Sequence, residues 1–539
     1  MAAANPPVAG ALVAPATGRS FVHGLDYKWQ VLMCTIFGTF MTTLDTTIVN
    51  IALPKITSVF GVNVNQAQLV VTSYMLALAV IMPATGFLGD TFGTKRLYLT
   101  TMALFTSGSL LCGLAWDNTS LVAFRVIQGL GGGMMSPLGM TMIFRAVPAR
   151  ERNAVMGLYG LPLMLAPVLG PTLGGYIVEY VDWRVIFTLN VPIGIAGLFM
   201  GWTLLRESER VKGLKFDVRG FLLSAVAFSS LLLGLSDADA DGWTSPGILA
   251  RFAIGGIALV AWIWVELTDT QPLVELRLFK DRTFTLAMTV NFVLTVGMFG
   301  GQLLVPLFLQ NFRGLGAGET GLITMAQALG MLPLMPIMGR VADRVPLRII
   351  LLLGLPFVGL TTWQFANLDV TTPDNTLRLM LALRGASLGV VMMPAMTAAL
   401  NAAPLHLMSR ASSLTNVARQ VFGSFGTAIF VTILQNRQIY HQAMLAQTAT
   451  PQNFALQQAL VAAQQWATGH GLSDAQGQLL GVIMVMRQLG LDAAVMAFQD
   501  VFRVAALVTL LAMVPALFLK TARPGGRSEG HGTAAAAID

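Results

Sequence analysis

From residue 31 to residue 519 the chain alternates between apolar runs of about 20 residues and short polar connections. That alternation leaves few folds open. About 20 apolar residues is the length at which a helix crosses the hydrocarbon of a bilayer. Within lipid every backbone N–H and C=O must find a partner in the protein, so only helices and closed barrels can span. Apolar runs this long and continuous predict helices. They fall near 31–53, 68–88, 97–115, 120–143, 154–178 and 183–205, then 219–236 and 247–265. A last group falls near 284–310, 319–338, 347–366, 377–400, 411–434 and 497–519, making about fourteen spans. Composition agrees: 55% of residues are hydrophobic and 11% charged, against about 25% charged in soluble domains. The expected class is an all-α integral membrane protein.

The formal charge of +7 does not point to nucleic acid, because the basic residues sit in alternate short loops. Lys95 and Arg96 follow the second run, and Arg145, Arg150 and Arg152 the fourth. Arg206, Arg210, Lys212, Lys215 and Arg219 follow the sixth, Arg277, Lys280 and Arg282 the eighth, and Arg340, Arg344 and Arg348 the tenth. The other loops are nearly free of positive charge, as in Ser236 to Asp241. The positive-inside rule then puts the basic loops and both termini in the cytoplasm. Residues 1–20 are rich in Ala and Pro with no charged region ahead of an apolar core, which predicts a flexible tail and no cleaved signal peptide. Two cysteines, Cys34 and Cys112, give no disulfide framework, and the five histidines lie outside the spans without ligand spacing. No bound metal or other cofactor is expected. No His/Asp or paired-carboxylate constellation stands at a membrane face, so no catalytic residues and no enzyme activity are expected.

An internal repeat divides the chain. Gly86-Phe87-Leu88-Gly89-Asp90-Thr91-Phe92-Gly93-Thr94-Lys95 matches Gly339 to Arg348 in spacing, with Asp343 and Arg344 in the second copy and Pro346 in place of the second Gly. Arg125 opens the fourth run and Arg384 stands early in the twelfth, each followed by glycines and then a proline, Pro137 and Pro394. Repeats of this kind are a transporter signature. The expected organisation is a flexible cytoplasmic tail at 1–27, a six-helix bundle at 28–206 and two additional spans at 207–270. The first five helices of a second bundle follow at 271–434, a long loop on the non-cytoplasmic side at 435–495, the last span at 496–519 and a tail at 520–539. Patterning such as Phe454 to Trp466 predicts short amphipathic helices in that loop, serving as a docking surface or as a plain connector.

Polar residues inside apolar runs carry the functional argument. Asp45 lies in Thr42-Thr43-Leu44-Asp45-Thr46-Thr47-Ile48-Val49-Asn50, over a helical turn from either end of the first run. As the spans are drawn, no other acidic residue lies so deep. A carboxylate at such depth costs roughly 2.5–3.5 kcal/mol on insertion scales and marks a functional site by default. Because desolvation opposes ionisation, an acid so placed can exchange a proton near neutral pH; the plainer role is a hydrogen-bond anchor between helices. Arg125, Gln128, Gly129, Gly132 and Ser136 share one face of the fourth run. A fixed positive charge near a protonatable carboxyl favours the ionised form and so sets when the proton leaves, unless Arg125 only binds backbone carbonyls. Asp90, between Gly86 and Gly93 with Lys95 and Arg96 beyond, can pair with a basic residue or cap a helix, as a gate or as a static brace. In the fifth run, Gly160 to Gly175, Ala166, Gly170 and Gly174 put small residues four apart, letting helices pack closely, and Pro162, Pro167 and Pro171 bend the helix while neighbours satisfy the freed carbonyls. Asn50, Gln128, Asn190, Asn291, Gln302, Asn416, Arg419 and Gln420 are the polar candidates for lining a cavity, each equally able to bond helix to helix.

With these residues assembled, the chain resembles the major facilitator superfamily, in its fourteen-span drug:proton antiporter branch (EmrB/QacA type). Leu44 to Pro54, Gly86 to Arg96, Arg125 to Pro137, Ala166 to Gly175 and Trp183 to Gly194 carry the likeness, which covers about 28–520. Pro272 to Thr285 and Ala411 to Ile429, with the long outer loop, look most like the EmrB side. The resemblance implies two six-helix bundles with two extra central spans, and export of amphipathic drugs across a bacterial inner membrane in exchange for protons. It implies that Asp45 and Arg125 couple protons, that Asp90 gates access, and that the fifth-span Gly/Pro motif marks an exporter. It further implies a periplasmic membrane fusion protein and an outer-membrane channel as partners, with 435–495 as the place of contact. Pro346 departs from the family loop, so weaker gating is expected in the second half. The rival on the same fold is a proton-coupled importer, or an exporter dedicated to one metabolite such as a fatty acid, siderophore or amino-acid derivative.

Overall fold

The computed structural model describes residues 25–448, 454–470 and 473–519; the expected tails at 1–27 and 520–539 lie almost wholly outside them. Among the described residues there is no strand. The first six helices are α1 Tyr27–Phe60, α2 Val64–Phe92, α3 Thr94–Gly113, α4 Asn118–Ala146, α5 Arg152–Tyr180 and α6 Val185–Leu204. Next come α7 Val218–Asp241 and α8 Pro246–Thr268. The rest are α9 Arg282–Phe312, α10 Ala317–Ala342, α11 Leu347–Asn367, α12 Asp374–Ala402, α13 Met408–Thr448, α14 Phe454–Gly469 and α15 Asp474–Leu511. Among the described residues, eleven helices are long and apolar enough to cross a membrane by length and composition alone. The more polar α3 and α4 fall short of that mark yet pack among the others, as α9 does.

The helix ends are written in the residues beside them. Asn63 and Gln66 form a reciprocal cap at the start of α2, as do Asp117 and Ser120 at α4. Each satisfies N–H groups that the first helical turn leaves unpaired. The acidic stretch ending at Asp241, expected as loop, forms the last turns of α7.

The packing repeats. In the first half α2 and α3 lie on α4, while α1 lies on α4, α5 and α6, and α3 on α6. In the second half α10 and α11 lie on α12, α9 on α12, α13 and α15, and α11 on α15, the same pairings in the same order. The halves meet twice, α10 against α5 and α13 against α2 and α4. The extra helices α7 and α8 pack on each other, and α7 touches both α2 and α13, so the pair bridges the halves. Trp243, in the turn between them, donates to Thr432 Oγ1 of α13 at 2.8 Å.

The segment 435–495 differs from the expected string of short helices. α13 runs unbroken for 41 residues, about 60 Å at 1.5 Å per residue, roughly twice the hydrocarbon thickness. α15 runs for 38 residues, and α14 packs along it. From Val431 to Thr448 no Gly or Pro interrupts the chain, and half of the residues are Gln, Ala, Leu or Met, all strong helix formers. Asp500 of α15 ties the two long helices together. It receives Arg437 Nε at 3.1 Å and Arg503 Nη1 at 2.7 Å, with His441 Nε2 at 2.8 Å.

Candidate functional site

α1 carries Asp45 into the middle of the first half, where the side chain is fully buried. Around it the hydroxyls of Thr42, Thr43, Thr46 and Thr47 donate to carbonyls three or four residues back, so the Thr-rich segment stays helical with its own polar groups satisfied. Thr47 also reaches Ala166 O of α5, and Asp45 reaches outward to two helices. Its Oδ2 accepts from Arg125 Nη1 of α4 at 2.5 Å, and its Oδ1 from Gln128 Nε2 at 2.9 Å and Asn190 Nδ2 of α6 at 3.3 Å. Arg125 also donates through Nε to Val70 O at 3.1 Å and through Nη1 to Gln128 Oε1 at 2.8 Å, and its guanidinium lies 4.0 Å from the Tyr74 ring. Ser109 of α3 closes the circle, accepting from Gln128 at 3.0 Å and Asn190 at 3.2 Å while donating to Phe187 O at 2.8 Å.

This is a buried ion pair whose acid is held by two further amide donors. Arg125 and Gln128 face it together because they stand three apart on α4. Gln128 and Asn190, expected in a substrate cavity, are buried here and hold the carboxylate instead. Ser109 went unread because a serine within an apolar run has no periodic signature. Arg125 Nη2 and Tyr74 Oη are buried without a partner among the described residues.

The two conserved-spacing loops join the halves. Asp90 Oδ1 accepts from Arg145 Nη2 at 3.1 Å and from Ser409 Oγ of α13 at 2.8 Å. Gly86 brings α2 against the backbone of Arg410: a Cβ there would stand 3.1 Å from Arg410 N and Cα. Gly93 sits at φ 91°, a conformation that favours glycine. Beyond it Lys95 N and Arg96 N donate to the Glu207 carboxylate at 3.1 and 3.2 Å, capping α3. In the second copy Asp343 does a different job. It accepts from Asn153 N at 3.2 Å, Asn153 Nδ2 at 2.9 Å and Ala154 N at 3.1 Å, capping α5 of the other half. Burial pushes the Asp343 carboxyl above its ordinary range, the Ala154 and Asn153 donors opposing. Arg344 is exposed.

In the fifth-span motif, Gly170 and Gly174 let α5 lie on α1. Cβ atoms there would meet Thr47 Cβ at 2.9 Å and Ile48 Cγ1 at 2.8 Å. Ala166 is buried and its carbonyl accepts from Thr47. Pro167 is half-buried, and a Cβ on Gly175 would meet nothing within 4 Å. α5 continues through Pro171, whose side chain lies outside the described residues. Gly157, toward the basic-loop end, brings α5 onto α10 at Met335.

Within the second half, α9, α12 and α13 border a small pocket. Asn291, Thr415, Arg419 and Phe422 line it with several methionines. Asn291 donates to Ala287 O and Ala395 O, and Asn416, buried beside the cavity, accepts from Ser136 and Arg419. Gln420 reaches Met75 of the first half. Asn50 is exposed and bonds its own helix at Thr46 O, and Gln302 is exposed on α9, so neither joins this cavity. The hydrogen bonds between the halves cluster from Gln420 toward the basic loops: Ser136–Asn416, Ser412–Pro137 O, Ser413–Met82 O, Thr397–Asn153 and the two aspartate joins.

One acid escaped the sequence reading. Glu266, just past the eighth apolar run, is as fully buried as Asp45 and accepts from Trp262 Nε1 at 2.9 Å and Val274 N at 3.1 Å. α8 extends three residues beyond the run and carries it inside.

Residues 35–427 match the Major Facilitator Superfamily. The chain belongs to the major facilitator superfamily. This facilitator is 34% identical over 495 residues to the MFS-type transporter YhcA of Bacillus subtilis, covering 92% of this chain and 93% of that one. It is 32% identical over 492 residues to a multidrug resistance protein B homolog of Mycobacterium tuberculosis, covering 90% and 88%. Among solved structures it resembles the human organic anion transporter MFSD10, at a TM-score of 0.58 and 12% identity over 91% of this chain and 99% of that one. The proton:xylose symporter XylE aligns at a TM-score of 0.54 and 15% identity over 87% and 94%. At such identities the two structures speak for the fold alone. The facilitator is a multi-pass membrane transporter whose relatives include proteins named for multidrug resistance.

Proposed function

We propose that this facilitator is a proton-coupled antiporter that exports amphipathic compounds across the bacterial inner membrane by alternating access, driven by the proton motive force without a cofactor. The observation that carries the reading is the Asp45 carboxylate, fully buried and bonded at once to Arg125, Gln128 and Asn190. An ionised acid is stable there while Arg125 stays beside it, because a buried charge must be paired. When a proton neutralises Asp45, Arg125 and the two amides lose their anchor and α1, α4 and α6 are free to shift. The joins at Asp90 and Asp343 hold the basic-loop end shut. With that end cytoplasmic, as the positive-inside rule requires, this geometry supports an outward-facing state in which Asp45 loads its proton from outside. Protonation then favours the swing that opens the cytoplasmic side for cargo, and Asp45 releases its proton there. The Gly-lined contacts of α5 with α1 and α10 support a sliding surface for that swing. Projecting past the bilayer, α13 and α15 offer a docking surface for a membrane fusion protein and its outer-membrane channel.

The test is acidification-driven flux in inverted vesicles challenged with a panel of amphipathic compounds, native against Asp45→Asn. Native vesicles should release protons when cargo is added, and the amide variant should not. Cargo accumulation at the native rate in the amide variant, powered by pH alone, removes Asp45 from the coupling step.

A further inference from the structure

Arg419 is the one charged residue lining the pocket bordered by α9, α12 and α13. Its half-buried guanidinium makes a single described hydrogen bond to protein, from Nη2 to Asn416 Oδ1 at 3.2 Å. No ion pair among the described residues includes it, and no carboxylate lines the cavity. The two arginines fully buried within the spans lie elsewhere. Arg125 has Asp45, and Arg384 donates to Gly301 O beneath the Phe365 ring. A guanidinium offers five N–H donors in a planar fork and cannot lose its charge. One donor is used here, and the pocket that Arg419 lines is walled by Met288, Met298, Met392 and Phe422.

The charge and the walls together define a ligand. A fixed cation in an apolar surround repels a cationic guest and favours a planar anion that takes the fork bidentately. Methionine and phenylalanine walls accept apolar bodies of varied shape. We propose that the cargo of this transporter is an amphipathic carboxylate, its head group bound by Arg419 and its apolar body laid against the methionines and Phe422. This rests on the export reading only in calling the ligand cargo; the site itself stands on its own geometry.

The experiment is equilibrium binding to the purified full-length protein in lipid nanodiscs of three probes sharing one ring system: naphthylacetate, its neutral amide naphthylacetamide, and the cation naphthylethylammonium. Native protein should bind the carboxylate about tenfold or more tightly than the amide and the ammonium least. In Arg419→Gln the carboxylate should fall to the level of the amide, and in Arg419→Lys it should keep part of its advantage. Equal binding of all three by native protein, a preference for the ammonium, or no measurable binding of the carboxylate overturns the proposal. So does a carboxylate preference that survives Arg419→Gln. Should that variant fail to fold, the three-probe order on native protein decides alone. Flux in proteoliposomes separates the two readings. Carboxylate preference without proton-driven flux upholds the anion site and sinks the antiporter, whereas proton-driven flux of the ammonium does the reverse.

Discussion

Arg125 and Arg384 occupy matching places in the two halves, near the start of α4 and of α12, and meet opposite surroundings. Arg125 faces a carboxylate, two amides and a serine. Arg384 faces the Gly301 carbonyl and the Phe365 ring, with its Nε unpartnered among the described residues. Where α1 presents Asp45, α9 presents Gly301, so close that a Cβ there would stand 2.7 Å from Arg384 Cζ. One scaffold therefore holds the same cation twice, once with a partner that can change its charge and once with one that cannot. On the proposed reading the first arrangement is a switch and the second a brace. The loops divide similarly: Asp90 joins the halves through an arginine and a serine, Asp343 through backbone and amide N–H groups that carry no charge.

The sharpest way to break the comparison is to remove each arginine. Arg125→Met strands a buried carboxylate and should destabilise the protein by about 3–5 kcal/mol. Arg384→Met strands only a carbonyl and should cost about 1–3 kcal/mol. Adding Asp45→Asn to Arg125→Met should recover most of the loss. Denaturant titration in nanodiscs measures all three, and equal losses for the two arginines would erase the distinction between switch and brace.

Next in size is Asp90→Ala, which removes charge-assisted bonds worth about 1.5–3 kcal/mol and should move the closed–open balance by about ten- to a hundredfold. Distance measurements between spin labels across the basic-loop end would register it; an unchanged distribution would make Asp90 a brace. A smaller effect concerns pH. The Asp343 carboxyl is raised by burial in the closed arrangement and returns toward the ordinary range if the joint opens to water. The closed form then binds the proton more tightly, so acidification between the ordinary and the raised value favours closure, and a rise in pH through that window releases it. Asp343→Asn should flatten this dependence in the same label distances. Smallest is Arg344→Ala, on the exposed side chain beside it, which should stay within about 0.5 kcal/mol of native stability and leave transport unchanged; a clear loss of flux would return Arg344 to the gate.

Much of this architecture was legible because lipid leaves a chain so little choice. Run length foretold the helices, and a lone acid at depth singled out Asp45. Spacing of three put Gln128 beside Arg125, but no rule said that both would turn toward α1, so Gln128 and Asn190 were assigned to a cavity they do not line. The cap that Asp343 supplies to α5 could not be read, since it depends on two segments 190 residues apart in sequence meeting end to side. Glu266 was lost to a boundary: an apolar run stops where hydropathy falls, whereas α8 stops where its hydrogen bonds do. The continuous helices through 435–448 and 474–495 were hidden by expecting a span to end at the membrane surface.

Cys34 and Cys112 are both buried and unbridged. Nature has thus supplied a background that is silent to water-soluble thiol reagents. A single cysteine introduced at exposed Thr119 or Arg344 would be the sole reactive sulfur, and its labelling from one side of the membrane would report on which side that connection lies.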